Sequence, residues 1–459
     1  MIRRLGCLLL LSLMTVEVPL QAQLELIVVD DTSFDIVADG NCTLPEAVQT
    51  ANTGVASDAC SLPPVGVEPQ IQVDLPAPIV FTYPLALVAD VEIFGSGIAD
   101  QTFECPVGCL IVFVGYDLTL RDLGMVGDPS ASPLALDGDN FVTLERVTLG
   151  GGDSIVVPAT STLDVEESIL VGFESDRPEA RGPSAEHLGG ALEVLGTLQM
   201  FDSTMANNRV FGPDSSRAEE PTLAGGGAIA CDGGSVTIFR STVSGNEAEG
   251  DTAFGGGLFL RDCGAAIVES TIVGNQTDAA SSDPFTGAGI RAEGSTSLTL
   301  FRNVIGGNIA MLGSGGLVDS EVSVDAGVPA AVTTGNFVRD YAGAFTTFAA
   351  GTPNAAGDFV GSTTFPLDLE MGPLQENGGP TPTHLPLVTS TSWIVDRVVC
   401  SAVRDQRGFD NGSGGRALDT GIHEDPATPC DIGAVEAWIG NEAPLFVDGF
   451  ESGDTAAWQ

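Results

Sequence analysis

Residues 226–246 read GGAIACDGGSVTIFRSTVSGN, and the chain returns to this phrase. Similar segments occupy 189–208 (GGALEVLGTLQMFDSTMANN), 256–275 (GGLFLRDCGAAIVESTIVGN) and 287–308 (GAGIRAEGSTSLTLFRNVIGGN). Shorter versions stand upstream: LTLRDLGMVG at 118–127, VTLERVTLGG at 142–151 and LDVEESILVG at 163–172. All seven align on Leu123, Val147, Ser168, Ser203, Ser241, Ser270 and Asn303. Five residues earlier stand Leu118, Val142, Leu163, Leu198, Val236, Ala265 and Leu298. Three earlier stand Leu120, Leu144, Val165, Met200, Ile238, Ile267 and Leu300, and two later Met125, Leu149, Leu170, Met205, Val243, Ile272 and Ile305. All 21 positions are apolar in a chain that is 43% hydrophobic, which makes them candidate core.

The first two columns lie two residues apart, the alternation of a strand with one buried face. The third comes five residues after the first, so the chain bends and starts another short strand. The tightest repeats are 24 and 21 residues apart, too short for a sandwich domain of about 100 residues. A coil that returns to the same columns each turn stacks parallel strands about 4.8 Å apart and buries its apolar edge against its neighbours. Leucine-rich repeats would need a helix-forming half, where this chain has glycine, and a propeller blade needs about 40 to 45 residues. The expected fold is all-β: a right-handed parallel β-helix solenoid.

Each of the four longer repeats ends on an asparagine: Asn208, Asn246, Asn275 and Asn308. Asparagine tolerates left-handed backbone and bonds to its stacked neighbour, so these predict an inward ladder rather than catalytic groups. The extra residues of the later repeats, 174–188, 209–224, 247–254 and 276–286, all enter just after this turn. They must project from one edge of the solenoid, as solvated decoration or as a binding face.

The N-terminus specifies export. Arg3 and Arg4 precede the apolar run Leu8 to Leu13, and Leu20-Gln21-Ala22 ends in a small residue suited to cleavage, a signal peptide over 1–22. The apolar stretch 5–16 is shorter than the roughly 20 residues a bilayer span needs, so no membrane insertion is expected after its removal. The formal charge is −45 and lysine is absent, which argues against nucleic acid and anionic membranes as partners. A positive mean hydropathy of +0.23 argues against disorder. Besides Cys7, eight cysteines fall into neighbouring pairs: Cys42 with Cys60, Cys105 with Cys109, Cys231 with Cys263 and Cys400 with Cys430. Spacing motivates this scheme among 105 possible ones in an oxidising compartment. Zinc is not indicated, because no CxxC occurs and no histidine stands near a cysteine pair at ligand spacing.

A solenoid needs capped ends. Thr43 and Glu46 form a capping box opening a short helix, with Leu44, Ala47, Val48 and Ala51 as its apolar stripe. The segment Asp39-Gly40-Asn41-Cys42-Thr43-Leu44-Pro45-Glu46-Ala47-Val48 resembles the CSLREA-type N-terminal domain of secreted bacterial β-helix proteins, with Pro45 where arginine is usual. MGPLQENGGPTPTHLPL at 371–387, Asp405-Gln406-Arg407-Gly408, and Cys430-Asp431-Ile432-Gly433-Ala434-Val435-Glu436 are similar to the terminal choice-of-anchor Q module of the same proteins. The resemblance implies architecture and export, with Cys400–Cys430 closing an irregular C-terminal module, and carries no shared catalytic mechanism. The expected divisions are 1–22 signal, 23–110 cap and first rungs, 111–345 coils, 346–440 terminal module and 441–459 tail.

Catalytic constellations do not stand out. Glycosidases need two converging carboxylates about 5–9.5 Å apart, whereas Asp137 and Asp139 read as a turn. His187, His384 and His423 lie in separate contexts, His384 as a structural hydrogen-bonding group. Calcium on stacked acidic loops is conceivable from their oxygen content, but the RTX nonapeptide does not recur. The expectation is therefore a secreted, non-catalytic scaffold in adhesion or in binding an extracellular glycan or surface protein, without cofactor. The alternative is a polysaccharide lyase or glycoside hydrolase on the same fold.

Overall fold

The computed structural model describes residues 26–96, 101–175, 186–212, 222–344, 346–399, 404–409 and 430–437. It is a parallel β-helix. The first column stacks in register, Leu118 on Val142, Leu163, Leu198, Val236, Ala265 and Leu298. The third does the same from Met125 through Leu149, Leu170, Met205, Val243 and Ile272 to Ile305. All 21 aligned apolar residues are buried. The stack also begins earlier than the aligned repeats, with Ile27 on Ile71, Ile93 and Leu120.

The bend between the two strands has one cause in every coil. Asp122, Arg146, Glu167, Asp202, Arg240, Glu269 and Arg302 adopt left-handed backbone, with φ between 46° and 56°. Each stands just before the alignment position. One residue of opposite curvature resets the alternation, which is why columns one and three are five residues apart and still both face inward.

A second parallel sheet closes the core: Ile155–Val157, Leu192–Val194, Ile229–Asp232, Leu258–Arg261, Ile290–Glu293 and Val322–Val324. The insertions are not irregular decoration. Directly after each Asn turn comes a strand of a third sheet: Arg209–Phe211, Glu247–Gly250, Gln276–Ala279 and Ile309–Leu312, preceded by Glu174–Ser175. Its inward column, Val210, Ala248, Thr277 and Ala310, is fully buried. Further along, Glu186–Leu188, Leu223–Gly225 and Thr252–Phe254 pair into a small fourth sheet.

The helix Leu44–Thr53 starts with a complete capping box. The Glu46 amide donates to Thr43 Oγ1 at 3.4 Å, and the Thr43 amide donates to Glu46 Oε2 at 3.0 Å. Its stripe, Leu44, Ala47, Val48 and Ala51, is buried over the first coils, shielding the exposed end of the core.

The C-terminal part does not extend the stack; it folds back along one flank. The outward column of the short strands runs Thr204, Thr242, Thr271, Val304, Phe337 and Phe359. The hairpin Met371–Gln375 / Thr383–Pro386 and residues 405–407 and 434 meet the threonine half. Ile394, Val398 and Ile432 cover the apolar half. That covering is why this column is buried although it points away from the core.

Candidate functional site

The four turn asparagines form a continuous buried ladder. Asn246 Oδ1 accepts from the Asn208 amide and Asn208 Nδ2, Asn275 Oδ1 does so for Asn246, and Asn308 Oδ1 for Asn275, at 2.9–3.1 Å. The ladder stops at Glu321, whose carboxylate accepts from Gly307 N, Asn308 N and Asn308 Nδ2. Burial pushes Glu321 up to about 7, against the lowering effect of the Asn308 donors. A parallel ladder uses the alignment column itself: Ser168, Ser203, Ser241, Ser270, Asn303 and Asn336, ending on Asp358. Both ladders lie inside the coil wall, where no ligand reaches them.

Disulfides join Cys42 to Cys60, Cys105 to Cys109 and Cys231 to Cys263, with Cα separations of 4.9, 5.1 and 6.0 Å. Of the fourth expected pair, Cys430 is buried and Cys400 lies outside the described residues. The signal segment, His423 and the tail also lie outside them. Asp139 takes left-handed backbone at a turn, and His187 is buried in the fourth sheet.

The conspicuous terminal motifs serve the flank contact. Gln406 Nε2 lies within 3.0 Å of Ser203 O, Thr204 Oγ1 and Thr381 Oγ1, and Gln406 Oε1 accepts from Thr242 Oγ1 at 2.6 Å. Arg407 forks onto Asp405 and reaches Glu436 O, while the Glu436 amide donates to Asp405 Oδ2. Gly379, at φ +88°, packs where a Cβ would come 2.5 Å from Arg407 Cα, so the Gly-Gly of this segment is a clearance requirement. These groups are buried and mutually bonded, an anchor rather than a reaction centre.

The surface suited to a ligand is the third sheet. Its outward columns run Arg209, Glu247, Gln276, Ile309 and Phe211, Glu249, Asp278, Met311. Arg209, Phe211, Glu249 and Asp278 of these columns line an open groove of about 620 Å³ together with Asp251. Arg209 lies 5.3 Å from the Phe211 ring centroid, pairs with Glu247 at 3.4 Å and also contacts Glu249. Asp251 Oδ2 accepts from the Thr222 amide at 3.0 Å and from its hydroxyl at 3.3 Å. Glu249 and Asp278 sit directly across adjacent strands. The groove thus offers an aromatic face beside a cation and several carboxylate acceptors. Among the described residues, no three His, Cys, Asp or Glu side chains converge as a metal ion requires. Sequence reasoning placed a possible binding face on this edge but missed its strands. The available signal was the small or apolar residue two positions after each ladder asparagine.

No protein-family model and no curated protein matches the chain. Among solved structures, the chain is similar to the A-module of a mannuronan C-5 epimerase, AlgE6, from Azotobacter vinelandii. The identity is 13% and the TM-score 0.23, over 59% of this chain and 90% of that one. Among the described residues no helix is long and apolar enough to cross a membrane.

Proposed function

We propose that the protein is an exported β-helical scaffold that binds a neutral extracellular glycan along the third-sheet groove without processing it. The observation that carries this reading is the outward face of that sheet, where Phe211, Arg209, Glu249 and Asp278 line one open groove. Aromatic rings offer apolar faces, and carboxylates and guanidinium groups supply the few placed polar contacts that orient a ligand. Arg209 holds Glu247 and Glu249 as ion-pair partners, which fixes both carboxylates along the groove. A formal charge of −45 repels acidic polymers and so selects for neutral ones. Membership of the CSLREA and choice-of-anchor group belongs to the same proposal. It is supported by the capping box behind Cys42 and by the joint burial of Asp405, Gln406, Arg407 and Glu436.

One observation favours a polysaccharide-active enzyme instead. Glu249 and Asp278 are cross-strand neighbours, and adjacent strands about 4.8 Å apart bring two carboxylates within a spacing that glycosidases use. Incubation with a panel of neutral and acidic glycans, read for retention and for released products, separates the readings. We expect retention of a neutral glycan, at least tenfold weakened in Phe211→Ala, and no products. Reducing-end or unsaturated products that vanish in Asp278→Asn would establish the enzyme, and retention of no glycan would point to a protein partner.

A further inference from the structure

The hairpin Met371–Gln375 / Thr383–Pro386 meets the solenoid at a histidine. His384 is 9% exposed. Its Nδ1 lies 2.7 Å from the Gly372 carbonyl oxygen, within the hairpin, and its Nε2 lies 2.8 Å from Ser244 Oγ, on the coil. A carbonyl can only accept, so Nδ1 carries a proton. Burial favours the neutral ring, in which Nε2 accepts from the serine hydroxyl, and the imidazole is the bridging group between the two elements.

We propose that His384 is a pH-sensitive latch: mild acid releases the 371–386 hairpin and uncovers the threonine stripe beneath it. Protonation puts a positive charge into a buried site whose two facing groups are a carbonyl and a hydroxyl. Ser244 then loses its acceptor and must accept a hydrogen bond from Nε2–H where it had donated one. The ionisable groups of the packed elements give no compensation. Asp202 is paired with Arg240 at 2.5 Å, Asp405 with Arg407 at 2.6 Å, and Glu370 accepts from Thr389 and Thr391. Burial depresses the imidazole below its ordinary range, the Gly372 carbonyl only partly opposing it. Further hydrogen bonds of the hairpin, Thr204 Oγ1 to Pro382 O at 2.7 Å, Thr381 Oγ1 to Asp202 O at 3.2 Å and Gln406 Nε2 to Thr381 Oγ1 at 2.9 Å, are neutral and do not titrate.

The direction follows from linkage. A histidine whose docked pKa is depressed contributes to docking above its free value, about 6.5, and loses that contribution as pH falls through it. The opening equilibrium rises by up to about tenfold per pH unit below that value, then levels off. Hydrogen exchange on the full chain at pH 7.5 and 5.0, corrected for intrinsic rates, tests this. Amides of 371–386 should lose at least tenfold protection at pH 5.0 while those of 236–239, in the core sheet, keep theirs as an internal control of folding. In His384→Gln the amide can donate to Gly372 O and accept from Ser244 without titrating, so the hairpin should stay protected at both pH values. Equal wild-type protection at the two pH values, or a His384→Gln hairpin that opens in acid like the wild type, overturns the latch.

Discussion

In the asparagine ladder each Nδ2 gives one hydrogen to a backbone carbonyl of the coil before it and the other to the asparagine oxygen of the coil after it, so the asparagine-to-asparagine bonds all run toward higher residue numbers. The last rung consequently needs an acceptor and nothing else. Glu321 is such a group, and Asp358 fills the same role for the serine–asparagine ladder. Full burial raises Glu321 from its ordinary value to about 7. A carboxyl raised in the folded state stabilises below its unfolded value, near 4.5, and that contribution is lost as pH rises through about 7. Glu321→Gln removes the titration. Thermal melts at pH 5 and 8 should therefore show a smaller fall in Tm with rising pH for this variant, by the equivalent of roughly 2–3 kcal/mol. The asparagines themselves were legible because they recur at one place in the repeat. Their terminators were not, since Glu321 and Asp358 stand beyond the repeated phrase and nothing local marks them.

At the scale of elements, the period-two columns were readable because burial on one face leaves alternation in the sequence. The corners were not. Left-handed backbone at Arg146, Arg240 or Arg302 costs about 1–2 kcal/mol per residue without glycine, and local sequence gives no hint of what offsets it. The offset is lateral: Arg146 pairs with Asp122 at 2.6 Å, Arg240 with Asp202 and Arg302 with Glu269, each across adjacent coils. The third-sheet strands escaped notice for another reason. They are only two to four residues long, with a small Val, Ala, Thr or Ser facing inward and outward neighbours of mixed character, a pattern too short to rise above that of a loop. The coils here are also tied covalently, Cys231 to Cys263 across 32 residues. Replacing both cysteines by alanine should cost roughly 3–4 kcal/mol in the chain-entropy model. The loss should appear in thermal melts as a lowered Tm, and a matching loss should follow reduction of the wild-type protein.

Viewed whole, the molecule is a stack with a return strand of sorts, and that return was hidden from the sequence because its partners are far apart. Gln406 and Ser203 are separated by 203 residues. The flank segment carries polar groups over Thr204, Thr242 and Thr271 and apolar ones over Val304, Phe337 and Phe359. It is therefore a gauge with two marks. A copy of residues 148–168 inserted after Ser168 adds a coil before the first mark and should leave exchange protection at 371–386 and 394–398 intact. A copy of 247–275 inserted after Asn275 continues both ladders yet displaces the marks by one strand spacing, about 4.8 Å. It should cost protection in one of the two segments. The stack on its own could take any number of coils; the segment lying along its side is what counts them.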